Sequence, residues 1–499
     1  MTAADRQGVQ FRLTNDGERR TMPTNRAVWA DAARVIDAGL GGEIEASSRW
    51  RREYVPFVRS VTELGARSAD ASSRVAEAGL TAARGRFVFR RDGTDHALGV
   101  AAALAPAFEL ATETIDGTGV PERELVVPYR GERLRGSALR RQIERWTDRG
   151  IIEPSAGDAL RGVMEHPDWL PLEGRRVVLL GAGAETSPLE VLTSWGAEIV
   201  VVDLARPALW QRLLDISRRG AGQVHVPLRS GEGALEARAG ANLITDVPEI
   251  AVWLRGFAED RLLTLGFYIY ADGGLHVQAT MAADAVADHL LTAANDVAVV
   301  YAGTPSDCYL VPSDLAEDSA ERRRHRGIRH LWEQPVRLLS GRRLYADAYP
   351  DVLIGEDGER WTVADALVSQ QGPNYALAKR LQRWRAVEAW RHDRPASFNV
   401  APPTWTASVT KNRLLAAGYY GAKYVGMEIF EPDTMRALMA ALMVYDIHHP
   451  PTARHPDARI AHGAIHGGYW RRPYEIRSTL VYTAALGLPE TYAPVMRIR

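Results

Sequence analysis

Two residues with acid–base side chains, Tyr375 and Lys379, stand one helical turn apart in the segment Ser369–Arg385. The dipeptide Gly372-Pro373 suits a helix start, and the four-residue spacing then places the phenol and the amine on one helical face. An ammonium group beside a phenol favours the phenolate and lowers its reference pKa of about 10. Such a pair can exchange a proton with a carbonyl or alcohol oxygen. Tyr and Lys also occur at this spacing by chance in many helices. The pair therefore indicates a catalytic function only if other strands and turns of the chain place it in a binding site.

A strand, a glycine-rich turn, a helix and a second strand are predicted within Arg175–Arg206. Val177–Leu180 and Ile199–Val202 are short apolar runs, typical of strands that are buried on both faces. Between them, Pro188 suits a first helical turn, and Ser187 is expected to cap that helix. Glycines let a backbone approach a pyrophosphate, and an acid about 20 residues further on can bond a ribose 2′-hydroxyl. The predicted cofactor contacts in this segment are Gly181, Ala182, Gly183, Thr186, Ser187 and Asp203.

The same segment is compatible with more than one ligand. Asp203 favours NAD, because its carboxylate would repel the 2′-phosphate of NADP, whereas Arg206 keeps NADP open. An S-adenosylmethionine-dependent methyltransferase also begins with a glycine-rich turn and has an acid at the end of its second strand. A Rossmann-like layer without any ligand is a further interpretation, and Thr186 stands where a third glycine or alanine is expected.

Strands and helices continue to alternate after Asp203, which predicts an α/β protein with a doubly wound parallel sheet of the Rossmann type. Ligands of such sheets bind beyond the carboxyl ends of the strands. Asp246 ends a strand predicted at Gly240–Thr245 and is therefore a further candidate for cofactor binding. Ser306 follows the strand predicted at Val297–Tyr301. Other strands are predicted at Gln223–Leu228, Leu262–Tyr270 and Ala396–Val400.

The length of 499 residues predicts more than one hydrophobic core. Residues 1–170 are predicted to form a mostly helical N-terminal domain. Residues 171–499 are predicted to form the dinucleotide-binding and catalytic domain, with an insertion at about 311–360 before the helix that carries Tyr375. The segments Asp272–His276 and His466–Tyr474 are candidates for substrate contact, because their glycines suit a strand end and a tight bend at a pocket wall.

Composition and charge narrow the range of partners. The formal net charge is −1, which gives no basis for a nucleic-acid or membrane-surface partner. No run of about 18 apolar residues predicts a membrane span, and the N-terminus lacks the apolar core of a secretion signal, so a cytoplasmic location is expected. The single cysteine, Cys308, excludes an intrachain disulfide. Five histidines between His448 and His466 lack metal-ligand spacing, so no metal is expected.

In chain order these features resemble the short-chain dehydrogenase/reductase family. The resemblance rests on the opening glycine-rich turn, on Tyr375-Ala-Leu-Ala-Lys379 after the fifth strand, and on Asn399-Val-Ala-Pro-Pro-Thr404 after the next strand. It implies that Tyr375 exchanges a proton with the substrate oxygen and that Lys379 binds the nicotinamide ribose and tunes Tyr375. It also implies that Pro402 and Thr404 belong to the turn that packs against the nicotinamide.

The family's catalytic serine has two candidates in this chain. Ser306 is preferred, because a strand end fixes its position in space, and Ser369 is the alternative. Asn295 is the candidate for an asparagine that the family carries on a helix. The resemblance covers roughly residues 175–445 and implies a homo-oligomer that pairs through the helices next to the active-site helix.

The sequence thus predicts an NAD(P)-dependent oxidoreductase that transfers hydride between nicotinamide and a small-molecule carbonyl or secondary alcohol. Two alternatives stay open. One is an S-adenosylmethionine-dependent methyltransferase, in which Tyr375 has no catalytic role. The other is a catalytically degenerate protein that binds a dinucleotide as a sensor or scaffold.

Overall fold

The computed structural model describes residues 6–259, 261–294, 296–325, 328–341 and 343–492. The strands are β1 (Gly8–Phe11), β2 (Phe87–Arg91), β3 (Thr94–Ala97), β4 (Ala111–Asp116), β5 (Val127–Tyr129), β6 (Glu132–Leu134), β7 (Arg175–Leu180), β8 (Glu198–Val202), β9 (Gln223–Leu228), β10 (Leu262–Phe267), β11 (Val297–Gly303), β12 (Cys308–Pro312), β13 (Leu353–Ile354), β14 (Arg360–Asp365) and β15 (Ala396–Val400). The helices are α1 (Thr21–Arg34), α2 (Ala38–Ala46), α3 (Trp50–Gly65), α4 (Ala69–Arg84), α5 (Gly136–Asp148), α6 (Pro154–Glu165), α7 (Leu189–Ser194), α8 (Pro207–Arg219), α9 (Leu235–Arg238), α10 (Val247–Arg255), α11 (Gly274–Ala293), α12 (Asp314–Arg324), α13 (Ile328–Leu339), α14 (Pro373–Arg391), α15 (Ala407–Lys411), α16 (Arg413–Gly421), α17 (Pro432–His448), α18 (Pro456–Ala461) and α19 (Ile476–Tyr492).

The central sheet has seven strands in the order β15-β11-β10-β7-β8-β9-β4. Neighbours from β15 to β9 pair in parallel, and β4 pairs antiparallel to β9. Counted from β7 along the chain, the parallel strands have the spatial order 3-2-1-4-5-6 that doubly wound nucleotide-binding folds use. The order reverses between β7 and β10, so the carboxyl ends of these two strands border the crevice of such a fold. The predicted mixed α/β fold with a mostly parallel sheet is therefore confirmed.

Alternation of side chains along β7 and β8 explains the unbroken apolar runs Val177–Leu180 and Ile199–Val202 within these strands. Val178 and Leu180 of β7 belong to a core on one face of the sheet, and Val177 and Leu179 belong to a core on the other face. Successive side chains of a strand point to opposite faces, so a strand with helices on both faces needs an unbroken apolar run. The two cores cover opposite faces of the sheet and keep the glycine-rich turn at its rim.

The strand predicted at Gly240–Thr245 is wrong, because this segment forms a turn before α10. The Asn242 side chain accepts a hydrogen bond from the Ile244 N–H at 3.0 Å, a local turn that competes with a strand. The Ala241 N–H instead donates to the carbonyl of Asp203 at 2.9 Å. The apolar residues of this segment are therefore buried, but they do not pair with the sheet.

The part of the chain before residue 170 packs closely against the sheet. Helices α1 to α4 lie between β1 and β2 in sequence, the strands β1, β2 and β3 pair antiparallel, and β4 forms one edge of the central sheet. Gly79 of α4 lies under Trp384 of α14, where a Cβ would stand 2.2 Å from the indole ring. The core that contains Trp29 also contains Leu265 of β10. The division at residue 170 stays a prediction, but the N-terminal helices directly cover the helix that carries Tyr375.

Between β11 and α14 the chain leaves the central sheet and forms a separate small sheet. Strands β12, β14 and β13 pair antiparallel, and α12 and α13 lie between β12 and β13 in sequence. This region overlaps the predicted insertion at 311–360, of which residues 326, 327 and 342 lie outside the described ranges. None of the helices within the described ranges has the length and apolar character that a membrane crossing requires.

Candidate active site

The carboxyl ends of β7, β10 and β11 bring sequence-predicted residues to one edge of the sheet. Gly181 follows β7 with a φ of +86°, and a Cβ on it would lie 2.9 Å from the amide nitrogen of Ile269, which follows β10. Thr304 and Ser306 follow β11. Helix α14 packs against β11 and carries Tyr375 in its first turn to this edge.

Tyr375 is half-buried, and its phenol is hydrogen-bonded to the side chain of Thr304. Burial raises the pKa of Tyr375 to about 12, and the bond from Thr304 acts in the opposite direction. The prediction that the pKa of this phenol is lowered is wrong, because desolvation of the phenolate outweighs the bond to Thr304. At neutral pH the phenol therefore keeps its proton.

Two hydroxyl groups and an amide continue the hydrogen-bond chain from the phenol. The Thr304 and Ser306 hydroxyl oxygens lie 3.0 Å apart, and the Gln371 side-chain amide donates to the Ser306 oxygen at 2.6 Å. Ser369, the alternative serine, is exposed and bonds the neighbouring Gln370 at 3.4 Å. Of the two predicted serines, Ser306 is therefore the one connected to Tyr375, and the connection runs through Thr304, which sequence reasoning did not select.

Lys379 lies one turn after Tyr375 on α14 and is also half-buried. Its ammonium donates to the Ala302 carbonyl at 3.4 Å and to the Gln382 side-chain oxygen at 3.2 Å. Burial lowers the pKa of Lys379 to about 8. Both acceptors are neutral and both distances are long for a charged donor, so the ammonium can take a further acceptor.

His276 reaches the same edge from the first turns of α11. The Ala271 N–H donates to its Nδ1 at 3.0 Å, and its ring lies 5.5 Å from the Tyr270 ring and 5.7 Å from the Tyr375 ring. Burial lowers the pKa of His276 to about 3, and the charge of Lys379 acts in the same direction. The sequence marks His276 only as the end of the segment Asp272–His276. Its place beside Tyr375 depends on how α11 packs against α14.

Asp203, at the end of β8, lies against the glycine-rich turn. One carboxylate oxygen accepts from the Gly183 N–H at 2.7 Å, and the other accepts from the Leu204 N–H at 2.7 Å. Burial raises the pKa of Asp203, and the two amide donors act in the opposite direction. A carboxylate offers about four lone-pair sites, so Asp203 can hold this turn in place and still accept further donors.

The glycine-rich turn is shaped by contacts within the protein itself. The Gly181 N–H donates to the Val202 carbonyl at 2.9 Å, and the Ala184 N–H donates to the Gly181 carbonyl at 3.1 Å. A Cβ on Gly183 would stand 2.4 Å from Leu209 Cδ1. Ala182 is buried beneath the turn. The positive φ and the nearby backbone of Ile269 require glycine at 181, whereas a Cβ at 183 would meet only the ends of side chains that can move. At Gly181 the sequence pattern does not distinguish this packing reason from close approach of a ligand.

The prediction that Ser187 caps the helix after this turn is wrong. Helix α7 begins at Leu189, has Pro188 at its N-cap position and has only six residues. The Ser187 hydroxyl is buried and has no hydrogen-bond partner among the described residues, and Thr186 beside it is half-buried. So short a helix carries a weak dipole, and the Ser187 hydroxyl is a buried polar group that the described residues leave unpaired.

Asp246 is held within its own turn. Its carboxylate accepts from the Asn242 N–H at 2.9 Å and from the Thr245 hydroxyl at 2.7 Å, and it forms an ion pair with Arg229. It is 5% exposed. These bonds stabilise the turn that replaces the predicted strand, and they give Asp246 a structural role.

The loop after β15 contacts the end of the glycine-rich turn. The Thr404 hydroxyl donates to the Pro402 carbonyl at 2.9 Å, and both residues are buried. The Ala407 N–H donates to Glu185 Oε2 at 2.9 Å, which ties this loop to the turn. The loop after β15 and the turn after β7 are therefore in direct contact.

The first residues of the segment His466–Tyr474 make contacts within the protein. His466 is fully buried, its Nε2 bonds Glu153 at 2.8 Å, and its Nδ1 accepts from the Gly468 N–H at 3.1 Å. Arg471 forms an ion pair with the same Glu153, and these contacts hold the pKa of Glu153 at about 2. Asn295 lies outside the described residues, and within them no group of three or more His, Cys, Asp or Glu side chains is arranged to hold a metal ion.

Comparison with known proteins gives only distant structural likenesses. No protein-family model matches the chain, and no curated protein matches it. Among solved structures, an A1-type ketoreductase is 16% identical, with a TM-score of 0.30, over 54% of this chain and 45% of that chain. A thiolation-reductase di-domain from an archaeal non-ribosomal peptide synthetase is 11% identical, with a TM-score of 0.28, over 56% of each chain. The matched region thus spans about half the length of these proteins.

Proposed function

We propose that this chain is an NAD(P)-dependent oxidoreductase that transfers hydride between nicotinamide and a small-molecule carbonyl or secondary alcohol. The observation that carries this proposal is the Tyr375 phenol bonded to Thr304, with Lys379 one turn further along α14. The group stands at the carboxyl edge of the sheet, beside the point where the strand order reverses. Ligands of doubly wound sheets bind at that point, and acid–base groups there can act on a ligand.

Polar groups around the crevice fit a dinucleotide. The Ser187 hydroxyl beside the glycine-rich turn and His276 Nε2 beside Tyr375 are buried without hydrogen-bond partners. Asp203 would accept from the adenosine ribose, and it favours NAD over NADP because a carboxylate repels a 2′-phosphate. The nicotinamide ring, when bound, supplies or accepts the hydride.

The protonated state of Tyr375 is the state that a general acid needs in the direction of carbonyl reduction. In that direction hydride adds to the carbonyl carbon, and the Tyr375 phenol gives its proton to the carbonyl oxygen, which becomes an alcohol. Thr304 bonds the resulting phenolate and Ser306 bonds Thr304, so the two hydroxyls stabilise the developing charge.

Ligand-induced thermal stabilisation tests the cofactor, with NADH, NADPH and S-adenosylmethionine compared side by side. We expect a shift with NADH, a smaller one with NADPH and none with S-adenosylmethionine, since ligands that bind the folded state alone raise Tm. A shift with S-adenosylmethionine alone would identify the methyltransferase alternative. Oxidation of the bound nicotinamide is then followed at 340 nm over a panel of ketones and aldehydes.

The sensor or scaffold alternative has its own supporting observation. The amides of Gly181, Gly183 and Ala184 are bonded within the protein, so this turn offers fewer free donors to a pyrophosphate than the pattern predicts. Dinucleotide binding without turnover of any carbonyl would identify that alternative.

A further inference from the structure

The first turn of α14, which carries Tyr375, begins without a capping side chain. Its N-cap residue is Gly372, at a φ of +80°, and Pro373 follows it. A glycine offers no side-chain acceptor to the N–H groups of the first turn, and helix ends are the parts of a helix that fray. The orientation of the Tyr375 phenol towards Thr304 therefore depends on contacts from outside α14.

Asn25 of α1 supplies one of these contacts. Its side-chain amide donates to the Pro373 carbonyl at 2.8 Å and to the Asn374 side-chain oxygen at 3.3 Å. Its oxygen accepts from the Trp50 indole N–H at 2.8 Å. An indole nitrogen only donates and a carbonyl oxygen only accepts, so these partners fix which way the amide of Asn25 points. Asn25 is 1% exposed, so water does not compete for the bonds.

Tyr54 of α3 holds the residues just before α14. Its hydroxyl donates to the Val368 carbonyl at 3.1 Å, and the backbone of Gly372 bonds the same hydroxyl. Burial raises the pKa of Tyr54 to about 12, so the hydroxyl keeps its proton at neutral pH. Further along α14, the Trp384 ring lies 5.4 Å from the Trp29 ring of α1. The N-terminal helices thus contact α14 both at its start and along its length.

We propose that Asn25 is a positioning residue of the reaction, which holds the first turn of α14 so that the Tyr375 phenol stays against Thr304. This inference rests on the proposed function and extends the site to the N-terminal helices. From the other side, the Gln371 side-chain amide donates to the Ser306 hydroxyl at 2.6 Å, so the start of α14 is held between two anchors. A displacement of about 1 Å at a reacting group can cost a factor of about 10² in rate.

Asn25→Leu tests the proposal, because Leu has a similar size but neither donates nor accepts a hydrogen bond. We expect kcat for carbonyl reduction to fall about tenfold and KM for NADH to stay within about twofold. Ser68→Ala is the matched control. The Ser68 hydroxyl oxygen accepts from the Ala71 N–H at 3.1 Å and caps α4, so its loss should lower Tm and leave kcat within about twofold.

Combination with Tyr375→Phe shows whether Asn25 acts through the phenol. If it does, Asn25→Leu lowers kcat much less in the Tyr375→Phe background than in the wild type, because the group that it positions is already gone. An equal fold-loss in both backgrounds overturns the proposal. An unchanged kcat in folded Asn25→Leu also overturns it, since a merely structural role lowers Tm alone.

Amide hydrogen exchange gives a measurement that does not depend on turnover. We expect the amides of Ala376 and Leu377 to exchange at least about tenfold faster in Asn25→Leu than in the wild type or in Ser68→Ala. Unchanged exchange overturns the anchoring by Asn25. A wild type that reduces no carbonyl overturns the proposed function, whatever the exchange shows, and with it the catalytic part of this inference. If Asn25→Leu does not fold, Tyr54→Phe replaces it, because it keeps the ring and removes only the anchoring hydroxyl.

Discussion

The Thr304 side chain is bonded to the Tyr375 phenol, although the whole region from β12 to β14 separates the two residues in sequence. Thr304 follows β11, and Tyr375 lies in the first turn of α14, which packs against β11. The contact is therefore made by two elements of the central α/β layer, and the small sheet between them loops away from it. Because of this geometry, an insertion between β11 and α14 can lengthen the chain without moving the Thr304 hydroxyl away from the Tyr375 phenol.

Replacement of the proton donor is expected to stop turnover and to preserve binding. Tyr375→Phe removes the phenolic proton but keeps the ring that contacts His276. Loss of a positioned general acid typically costs a factor of about 10² to 10⁴, so we expect kcat for carbonyl reduction to fall at least about 100-fold, with the dissociation constant of NADH within about threefold. Tyr424→Phe, at a 38% exposed position, is the matched control. Full activity of Tyr375→Phe would remove this residue from the mechanism.

The two hydroxyls next to the phenol are expected to differ in importance. Thr304→Val keeps the shape of the side chain and removes the group that bonds Tyr375, so we expect kcat/KM to fall about tenfold or more. Ser306→Ala removes a hydroxyl that touches Thr304 at 3.0 Å, so the expected loss is smaller. Steady-state kinetics of the two variants rank them. A larger loss in Ser306→Ala would show that this serine acts on the substrate directly.

Asp203 is expected to influence both the choice of cofactor and the stability of the turn. Asp203→Asn removes the negative charge that disfavours a 2′-phosphate, and it weakens the acceptors for Gly183 and Leu204. We expect the ratio of NADPH to NADH affinity to rise about tenfold and the free energy of unfolding to fall by about 1–2 kcal/mol. Asp246→Asn is the control, since Asp246 is held within its own turn, and it should lower stability without a change in that ratio.

Lys379 is expected to lower stability at neutral pH, because burial holds its pKa at about 8, below the ordinary 10.5. Between those values the unfolded chain binds more protons than the folded chain, so this group makes stability rise with pH across that window. Below pH 8 both states are protonated and the full penalty for the buried charge is present. Lys379→Met should therefore raise Tm most at pH 7 and least near pH 10.5. Thermal unfolding of both proteins at these pH values measures the difference, and a lower Tm of the variant at pH 7 would contradict it.

Most strands of the central sheet could be predicted from the sequence, because burial on both faces leaves an unbroken apolar run. The strands β9 and β15 have the predicted limits, and β7, β8, β10 and β11 differ from prediction only at their ends. The failure at Gly240–Thr245 has a local cause, since the Asn242 side chain closes a turn within an apolar segment. The edge strand β4 was not predicted, because its residues are mostly exposed and no apolar run marks it.

The sequence by itself determined the alternation of strands and helices, the glycine-rich turn before Asp203, and the helical face shared by Tyr375 and Lys379. These features depend on residues close together in the chain, whose patterns set local conformation. The partner of the phenol, the raised pKa of Tyr375 to about 12 and the position of His276 were decided only by tertiary structure. The reason is that burial and contacts between distant segments set the local dielectric and the hydrogen-bond partners, and neither is encoded in residue spacing.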